Sequence, residues 1–233
     1  IENIAYYSVA TYIASVIAVP SRAMHQITYP ITAKLMHEDN HDALNDLYKK
    51  TSINLQVVGG FVMLCIFVNI NQLYVMVPKE YSGGILVVFL IGISKYFDLI
   101  LGNNNAIIFN SKYYRMVLFL GLLLVFLTVG LNIFFIPRYA ITGTAVATLL
   151  SITLYSLAKL LFVVKRMHLY PFTKQTLYSL GITFALFLLF YFWEFPFSPI
   201  ISIGLKSILV TILYVYINYK FVISIEINQA LDL

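Results

Sequence analysis

Long apolar stretches alternate with short polar segments along the chain, in the pattern typical of membrane-spanning helices. A helix needs about 20 mostly apolar residues to cross a bilayer. Segments of this kind cover residues roughly 5–31, 52–77, 84–109, 116–136, 141–164, 176–193 and 200–219. Apolar and polar residues do not alternate within them as they do in a half-exposed strand. We therefore predict an all-α integral membrane fold with seven transmembrane helices, in a single transmembrane domain over residues 1–233.

The amino-acid composition narrows the class of protein further. Hydrophobic residues make up 61% of the chain and charged residues 11%, whereas soluble domains have about 25% charged residues. So few charges cannot cover a water-facing surface, and they disfavour a disordered chain or a nucleic-acid-binding domain. The single cysteine, Cys65, permits neither an internal disulfide nor a zinc cluster. The lipid bilayer is an expected partner, and nucleic acid is not.

Basic residues fall mainly in the loops on one side of the predicted spans. That side holds Lys34, Lys49, Lys50, Lys112, Arg115, Lys165, Arg166, Lys174 and Lys220. The opposite side holds Lys79 and Arg138. Because Lys and Arg prefer cytoplasmic loops, we predict that the N-terminus lies outside and the C-terminus lies in the cytoplasm. The chain begins at Ile1 rather than Met, so we expect it to be a fragment.

The longest loop, about residues 34–50, carries several apolar residues on one helical face. Asn40 is suited to cap the N-terminus of such a helix, because its side chain can accept a hydrogen bond from a free backbone N–H group. We predict a separate amphipathic helix that lies on the cytoplasmic membrane surface.

The first predicted span carries a polar stripe within an arc of about 60°. Its members are Ser8, Thr11, Ser15, Arg22, Gln26 and Tyr29. Arg22 lies well inside the span, and His25 stands one turn away on the edge of the same face. Arg22 either extends to the cytoplasmic interface or lines a cavity for an anionic substrate. The aligned stripe favours the cavity, and Arg22, His25 and Gln26 are candidate lining residues.

The third predicted span carries Lys95 and Asp98 three residues apart, near the bilayer centre, with Asn105 beside the same face. An unpaired charge at this depth is costly, so we predict an ion pair between them, with either a structural or a transport role. The run Gly102-Asn103-Asn104-Asn105 either loosens the helix or lines a polar passage. Lys159 and Lys206 are expected to extend to the membrane interfaces.

Motifs that carry catalysis are absent from the sequence. The four histidines lack metal-ligand spacing, and no Walker loop, dinucleotide fingerprint or nucleophile elbow is present. We predict no catalytic residues, no metal site and no cofactor, and a protein that is not an enzyme.

Several stretches are similar to one transporter family. The segment Ile4-Ala5-Tyr6-Tyr7-Ser8-Val9-Ala10, followed by Pro20 and Tyr29-Pro30-Ile31, resembles the segment after the seventh span of polysaccharide-export flippases, and Leu47-Tyr48-Lys49-Lys50 resembles the basic entry to their next span. The most specific match is Asn132-Ile133-Phe134-Phe135-Ile136-Pro137-Arg138-Tyr139-Ala140-Ile141-Thr142-Gly143-Thr144-Ala145-Val146-Ala147-Thr148. Ala140 occupies a position where the family usually has glycine. These stretches resemble the O-antigen and capsule flippase branch of the multidrug/oligosaccharidyl-lipid/polysaccharide exporter superfamily, over about residues 4–166.

The resemblance implies a fourteen-helix exporter of the bacterial cytoplasmic (inner) membrane. The seven predicted spans would form most of its C-terminal lobe plus two extra helices, and the missing N-terminal lobe of the same chain would be a partner. Such a protein moves an undecaprenyl-pyrophosphate-linked oligosaccharide, which is anionic, from the cytoplasmic to the periplasmic leaflet. The candidate cavity residues Arg22, His25, Gln26, Lys95, Asp98 and Asn105 come from the polar stripes, not from the family motifs.

Two other functions fit parts of the pattern. A drug or organic-cation antiporter of the same superfamily needs intramembrane acidic residues, and Asp98 is the one candidate in the sequence. A membrane-embedded polysaccharide polymerase or acyltransferase needs polar catalytic residues, in a large loop or around an intramembrane histidine. The sequence shows neither, which disfavours an enzyme.

Overall fold

The computed structural model describes residues 2–232, and the side chains of these residues except at 2–5, 79, 80 and 82. Helices account for 85% of the structure, and this described part contains no strand. The helices are α1 Glu2–Ser15, α2 Val19–His37, α3 His41–Val68, α4 Ile70–Met76, α5 Ile85–Leu99, α6 Asn104–Asn110, α7 Met116–Met167, α8 Lys174–Tyr191, α9 Pro199–Lys220 and α10 Ile225–Leu231. Short 3₁₀ helices at Val16–Ala18 and Lys79–Gly84 complete the order. The predicted all-α class is confirmed.

Three described helices are long and apolar enough to cross a membrane, namely α3, α7 and α9. A fourth span results if α5 and α6, which are bent by 48° relative to each other, form one broken span. Large apolar side chains such as Phe126 and Phe192 lie exposed on the outside, 74% and 76% accessible, as expected where lipid replaces water. These features are typical of a membrane protein, while the count of seven spans stays a prediction.

Helix α3 lies at the centre of the fold. It packs against α2, α5, α8 and α9, and 61% of its most apolar window is buried. Tyr48 and Leu55 on this helix are among the largest fully buried side chains. Polar side chains of α3 can therefore form hydrogen bonds with the helices packed around it.

The 52-residue helix α7 contains a chain reversal at Ala140, whose φ of 47° and ψ of −126° are not helical. Leu120 and Val163 lie in one apolar cluster, and a Cβ atom on Gly143 would lie only 2.3 Å from the carbonyl oxygen of Phe135. The two halves of α7 thus run back along each other. A positive φ favours glycine, so Ala140 holds a backbone conformation that is unfavourable for a residue with a Cβ atom.

The predicted N-cap at Asn40 is confirmed, because its Oδ1 accepts a hydrogen bond from the Ala43 N–H group at 3.1 Å. The separate surface helix over residues 34–50 is wrong. Residues up to His37 continue α2, and α3 begins at His41 and runs on into the bundle. The apolar face of this segment packs against α6 and α7 rather than lipid, since Leu44 and Tyr48 are buried in the same cluster as Ile107, Val163 and Leu169.

We expect Asn40→Ala to lower the free energy of unfolding by about 1 kcal/mol, because the first turn of α3 loses its side-chain cap. Chemical denaturation of the full-length protein in detergent micelles measures the change. Asn40→Ser keeps a capping oxygen and is the matched control. The cap would have no energetic role if the alanine and serine variants were equally stable.

Candidate functional site

The candidate site is built around the break between α5 and α6. Gly102 adopts a φ of +58° there, and a Cβ atom at this position would lie 2.7 Å from the backbone nitrogen of Ser52 on α3. The Ser52 hydroxyl donates a hydrogen bond to the carbonyl oxygen of Ile100 at 2.6 Å, so a backbone group at the break gains a partner. The glycine therefore permits both the left-handed turn and the close approach of α3.

The asparagines after Gly102 hold the broken segment against different helices. Asn103 contacts α2, where it accepts a hydrogen bond from Thr28 at 3.5 Å and donates one to Thr32. The Asn104 amide donates to the hydroxyl of Tyr48 on α3 at 2.7 Å. Asn103 and Asn104 are both buried, so their amides stabilise the break where water does not reach. The loosening of the helix that the sequence predicted as one of two alternatives is confirmed.

An ion pair joins α5 to α7 beside this break. The Lys159 ammonium group lies 2.7 Å from Asp98 Oδ1 and donates to Asn105 Oδ1 at 3.2 Å. The Ser156 hydroxyl donates to the same carboxylate oxygen at 3.0 Å. The Lys159 side chain is 3% exposed, whereas that of Asp98 is 44% exposed. The pair thus has one buried partner and one partner open to a cavity.

The predicted Lys95–Asp98 ion pair is wrong, because Asp98 pairs with Lys159 instead. Lys95 shares a helix face with Asp98, but Lys159 reaches the carboxylate from the helix packed against it. Lys95 forms no ion pair within residues 2–232. The expected extension of Lys159 to the interface is also wrong, since its side chain turns inward toward α5.

A small polar cavity lies at this point. It measures about 100 Å³, and its lining includes His25, Lys95, Asp98, Asn105 and Lys159. Two ammonium groups face one carboxylate, which leaves the cavity a net positive charge with His25 neutral. Typical ligand pockets begin at about 300 Å³, so this cavity has room for a small anionic group and not for a whole oligosaccharide.

The structure separates the predicted site residues into two groups. His25, Lys95, Asp98 and Asn105 meet in the small cavity. Arg22 and Gln26 lie exposed on the outer face of α2. His25 and Asn105 also line a neighbouring open depression of about 430 Å³ that includes Tyr29, Phe109 and Tyr155.

Lys159 is the site residue that sequence reasoning missed. The signal was present in the polar face of α7 formed by Thr144, Thr148, Ser151, Tyr155 and Lys159. Ser151 and Lys159 are buried, and the Lys159 ammonium group lies 4.4 Å from the centre of the Tyr155 ring. A lysine on a shared polar face inside a membrane span indicates an acidic partner on a neighbouring helix.

Lys206 is a second lysine that is buried inside the bundle. Its predicted extension to the interface is wrong, because the side chain is 1% exposed and its ammonium group donates to the carbonyl oxygen of Val68 at 3.1 Å. Val68 is the last residue of α3, where a cation complements the helix dipole. Lys206 lies outside the polar cavity and is not part of the candidate site.

Comparisons with protein-family models, with curated proteins and with solved structures find no match. Across residues 2–232, no group of three or more His, Cys, Asp or Glu side chains is arranged to hold a metal ion. The side chains of the site themselves indicate its chemistry. Its ammonium groups, imidazole and amide can hold an anionic group, which would compete with the Asp98 carboxylate for the Lys159 ammonium group.

Proposed function

We propose that the chain is part of a polysaccharide-export flippase of the bacterial cytoplasmic membrane. Its substrate would be an undecaprenyl-pyrophosphate-linked oligosaccharide, carried from the cytoplasmic to the periplasmic leaflet. The observation that carries the proposal is the net positive cavity at a break between apolar helices. Broken helices are a common device for presenting polar groups to a substrate inside a membrane. The sequence resemblance points to the same function.

The proposed topology has seven spans. The two halves of α7 supply two of them, α5 with α6 supplies one broken span, and α1 with α2, α3 with α4, α8 and α9 supply the remainder. The excess of basic residues on one side then places the C-terminus in the cytoplasm. In this arrangement Arg22 and Gln26 on the exposed face of α2 would meet the N-terminal lobe of a fourteen-helix protein, which would complete the substrate cavity.

Lys95 is the residue best suited to bind the phosphate groups of the substrate. Asp98 is already neutralised by Lys159, so the charge of Lys95 is not consumed by the ion pair. An ammonium group and a phosphate oxygen form a charge-assisted hydrogen bond, which is about twice as strong as a neutral one. The small volume of the cavity suits a phosphate group, and the glycan would lie in the space between the two lobes.

An organic-cation antiporter is the second candidate, because the Asp98 side chain is 44% exposed to the cavity. A cationic drug would have to displace Lys159 from this carboxylate and approach Lys95 at the same time. Both steps oppose cation binding, since like charges in an apolar surrounding repel strongly. The charge balance of the cavity therefore favours an anionic substrate.

Deletion of the gene and its complementation test the proposed function. We expect deletion to stop surface-glycan export and to leave lipid-linked oligosaccharide in the cell membrane, and the wild-type gene to restore export. Lys95→Gln should lower export about tenfold or more, because a charge-assisted contact to phosphate is lost. Lys174→Gln, which removes an exposed charge at the start of α8, is the matched control and should restore export fully.

The deletion strain tests the proposed function, and the Lys95→Gln variant tests the assigned role of Lys95. Normal glycan export in the deletion strain would contradict the proposed function itself. Full export by Lys95→Gln at wild-type protein levels would leave the flippase function in place and would refute the assignment of Lys95.

A further inference from the structure

A second and larger cavity lies where the ends of four segments meet, away from the break in α5–α6. It measures about 710 Å³ and is lined by the end of α2, the start of α3, the loop between α6 and α7, and the end of α7 with the residues after it. Its floor is apolar, since Leu44 and Leu169 are almost completely buried. The volume lies in the range of about 300–1,000 Å³ that is typical of sites for small molecules.

The rim of this cavity is rich in basic groups. Lys112 and Arg166 supply two positive charges and Asp39 supplies one negative charge, so the lining has a formal charge of +1 with the histidines neutral. Neither Lys112 nor Arg166 forms an ion pair with any residue that the structure describes. Two cations without a salt-bridge partner among the described residues therefore line the same concave surface.

Three histidines add hydrogen-bonding groups to the rim. His37, His41 and His168 all line the cavity. The described residues contain no cluster of His, Cys, Asp and Glu with the geometry of a metal site, so the histidines are not gathered around a common cation. Imidazole groups beside Lys and Arg can instead donate hydrogen bonds to an anion.

Contacts between the walls hold the cavity in shape. The Nε2–H group of His41, at the start of α3, donates to the carbonyl oxygen of Met167 at 2.8 Å. The Tyr170 N–H group donates to the Asn45 side chain at 2.9 Å. These hydrogen bonds join the first turns of α3 to the end of α7 and the residues that follow it, so two of the cavity walls are held together.

We propose that this cavity binds a phosphate-bearing anion. Arginine offers a planar fork of N–H donors that matches phosphate oxygens, and lysine adds a compact positive charge. An apolar floor below a basic rim would accept either the headgroup and upper acyl chains of an anionic lipid or a soluble phosphate compound. The site is independent of the proposed substrate cavity, since Lys112 and Arg166 do not line that cavity.

Binding to the purified full-length protein in non-ionic detergent tests the proposal. The probes are sodium pyrophosphate, dihexanoyl phosphatidylglycerol and, as a zwitterionic comparison, dihexanoyl phosphatidylcholine, with calorimetric titration as the measurement. We expect Arg166→Gln and Lys112→Gln each to raise the Kd for the anionic probes about tenfold. Lys165→Gln removes an exposed charge next to Arg166 but outside the cavity lining, so its Kd should stay within about twofold of the wild-type value.

The order of the affinities for the probes identifies the kind of anion that the cavity binds. Tighter binding of phosphatidylglycerol than of pyrophosphate supports a lipid headgroup, and equal or tighter binding of pyrophosphate supports a soluble phosphate compound. The proposal is overturned if no anionic probe binds, if phosphatidylcholine binds as tightly as phosphatidylglycerol, or if Lys165→Gln weakens binding as much as Arg166→Gln. Lys112 and Arg166 are both exposed, so the variants should keep the wild-type thermal stability, which is measured in parallel.

Discussion

Asp98→Ala is expected to lower the free energy of unfolding by about 3 kcal/mol, the size of effect typical when one partner of a buried ion pair is removed. The substitution leaves the Lys159 ammonium group buried, with the Asn105 amide oxygen and the Tyr155 ring as its remaining contacts. An ammonium group that has lost its counter-charge in an apolar surrounding must either stay charged at high cost or lose its proton. Denaturant titration of the full-length protein in mixed micelles measures the loss.

The asymmetric exposure of the pair gives a sharper test. Lys159→Met should cost less than Asp98→Ala, because the Asp98 carboxylate is 44% exposed to the cavity and keeps the hydrogen bond from Ser156. Adding Lys159→Met to Asp98→Ala should restore part of the lost stability. Glu38→Ala, which breaks the exposed Lys34–Glu38 pair, is the control and should cost at most about 0.5 kcal/mol. A larger loss for Lys159→Met than for Asp98→Ala would refute this description of the pair.

Gly102→Ala is expected to destabilise the protein by about 3 kcal/mol. A left-handed conformation costs an alanine about 1–2 kcal/mol, and the added Cβ atom would lie 2.7 Å from Ser52 N and 2.9 Å from Ser52 Cα. Both neighbouring atoms are backbone atoms of α3, so relief requires movement of the helix. Because the break also positions Asn105 beside Lys159, we expect the same variant to reduce glycan export.

Gly204→Ala is the matched control for Gly102→Ala, and denaturant titration in mixed micelles measures the stability of both variants. Gly204 lies in the second turn of α9, with no atom within 4 Å of the position that a Cβ would take. Alanine is favoured over glycine in a helix by about 1 kcal/mol, so this variant should be as stable as the wild type or more stable. Equal destabilisation by Gly204→Ala and Gly102→Ala would show that the conformation and crowding at Gly102 do not matter.

Sequence patterns predicted the local features of this fold well. Each of the seven predicted segments is helical over nearly its whole length, and the cap at Asn40 forms as expected. The polar run after Gly102 marked the place where α5 and α6 separate. These features depend on residues close in sequence. A run of residues that disfavours a helix interrupts it, and a side chain just before the first turn can accept a hydrogen bond from a free backbone N–H group there.

Contacts between distant segments could not be predicted in the same way. Asp98 and Lys159 are 61 positions apart, and nothing in either helix alone indicates which neighbour it will face. The polar stripe of the first span correctly grouped Arg22 with Gln26 on one face. Whether that face turns toward the bundle depends on packing, and in the structure it points outward while His25, on its edge, turns inward.

The most direct test of the proposed flippase is a leaflet-specific transport assay with the full-length protein in lipid vesicles. A fluorescent undecaprenyl-pyrophosphate-linked oligosaccharide is placed in both leaflets, and a membrane-impermeant quencher reports how fast the inner pool becomes accessible. We expect rapid loss of the protected pool with the wild-type protein and a rate about tenfold lower with Lys95→Gln. If vesicles with folded wild-type protein were quenched no faster than vesicles without protein, the proposed function would be wrong.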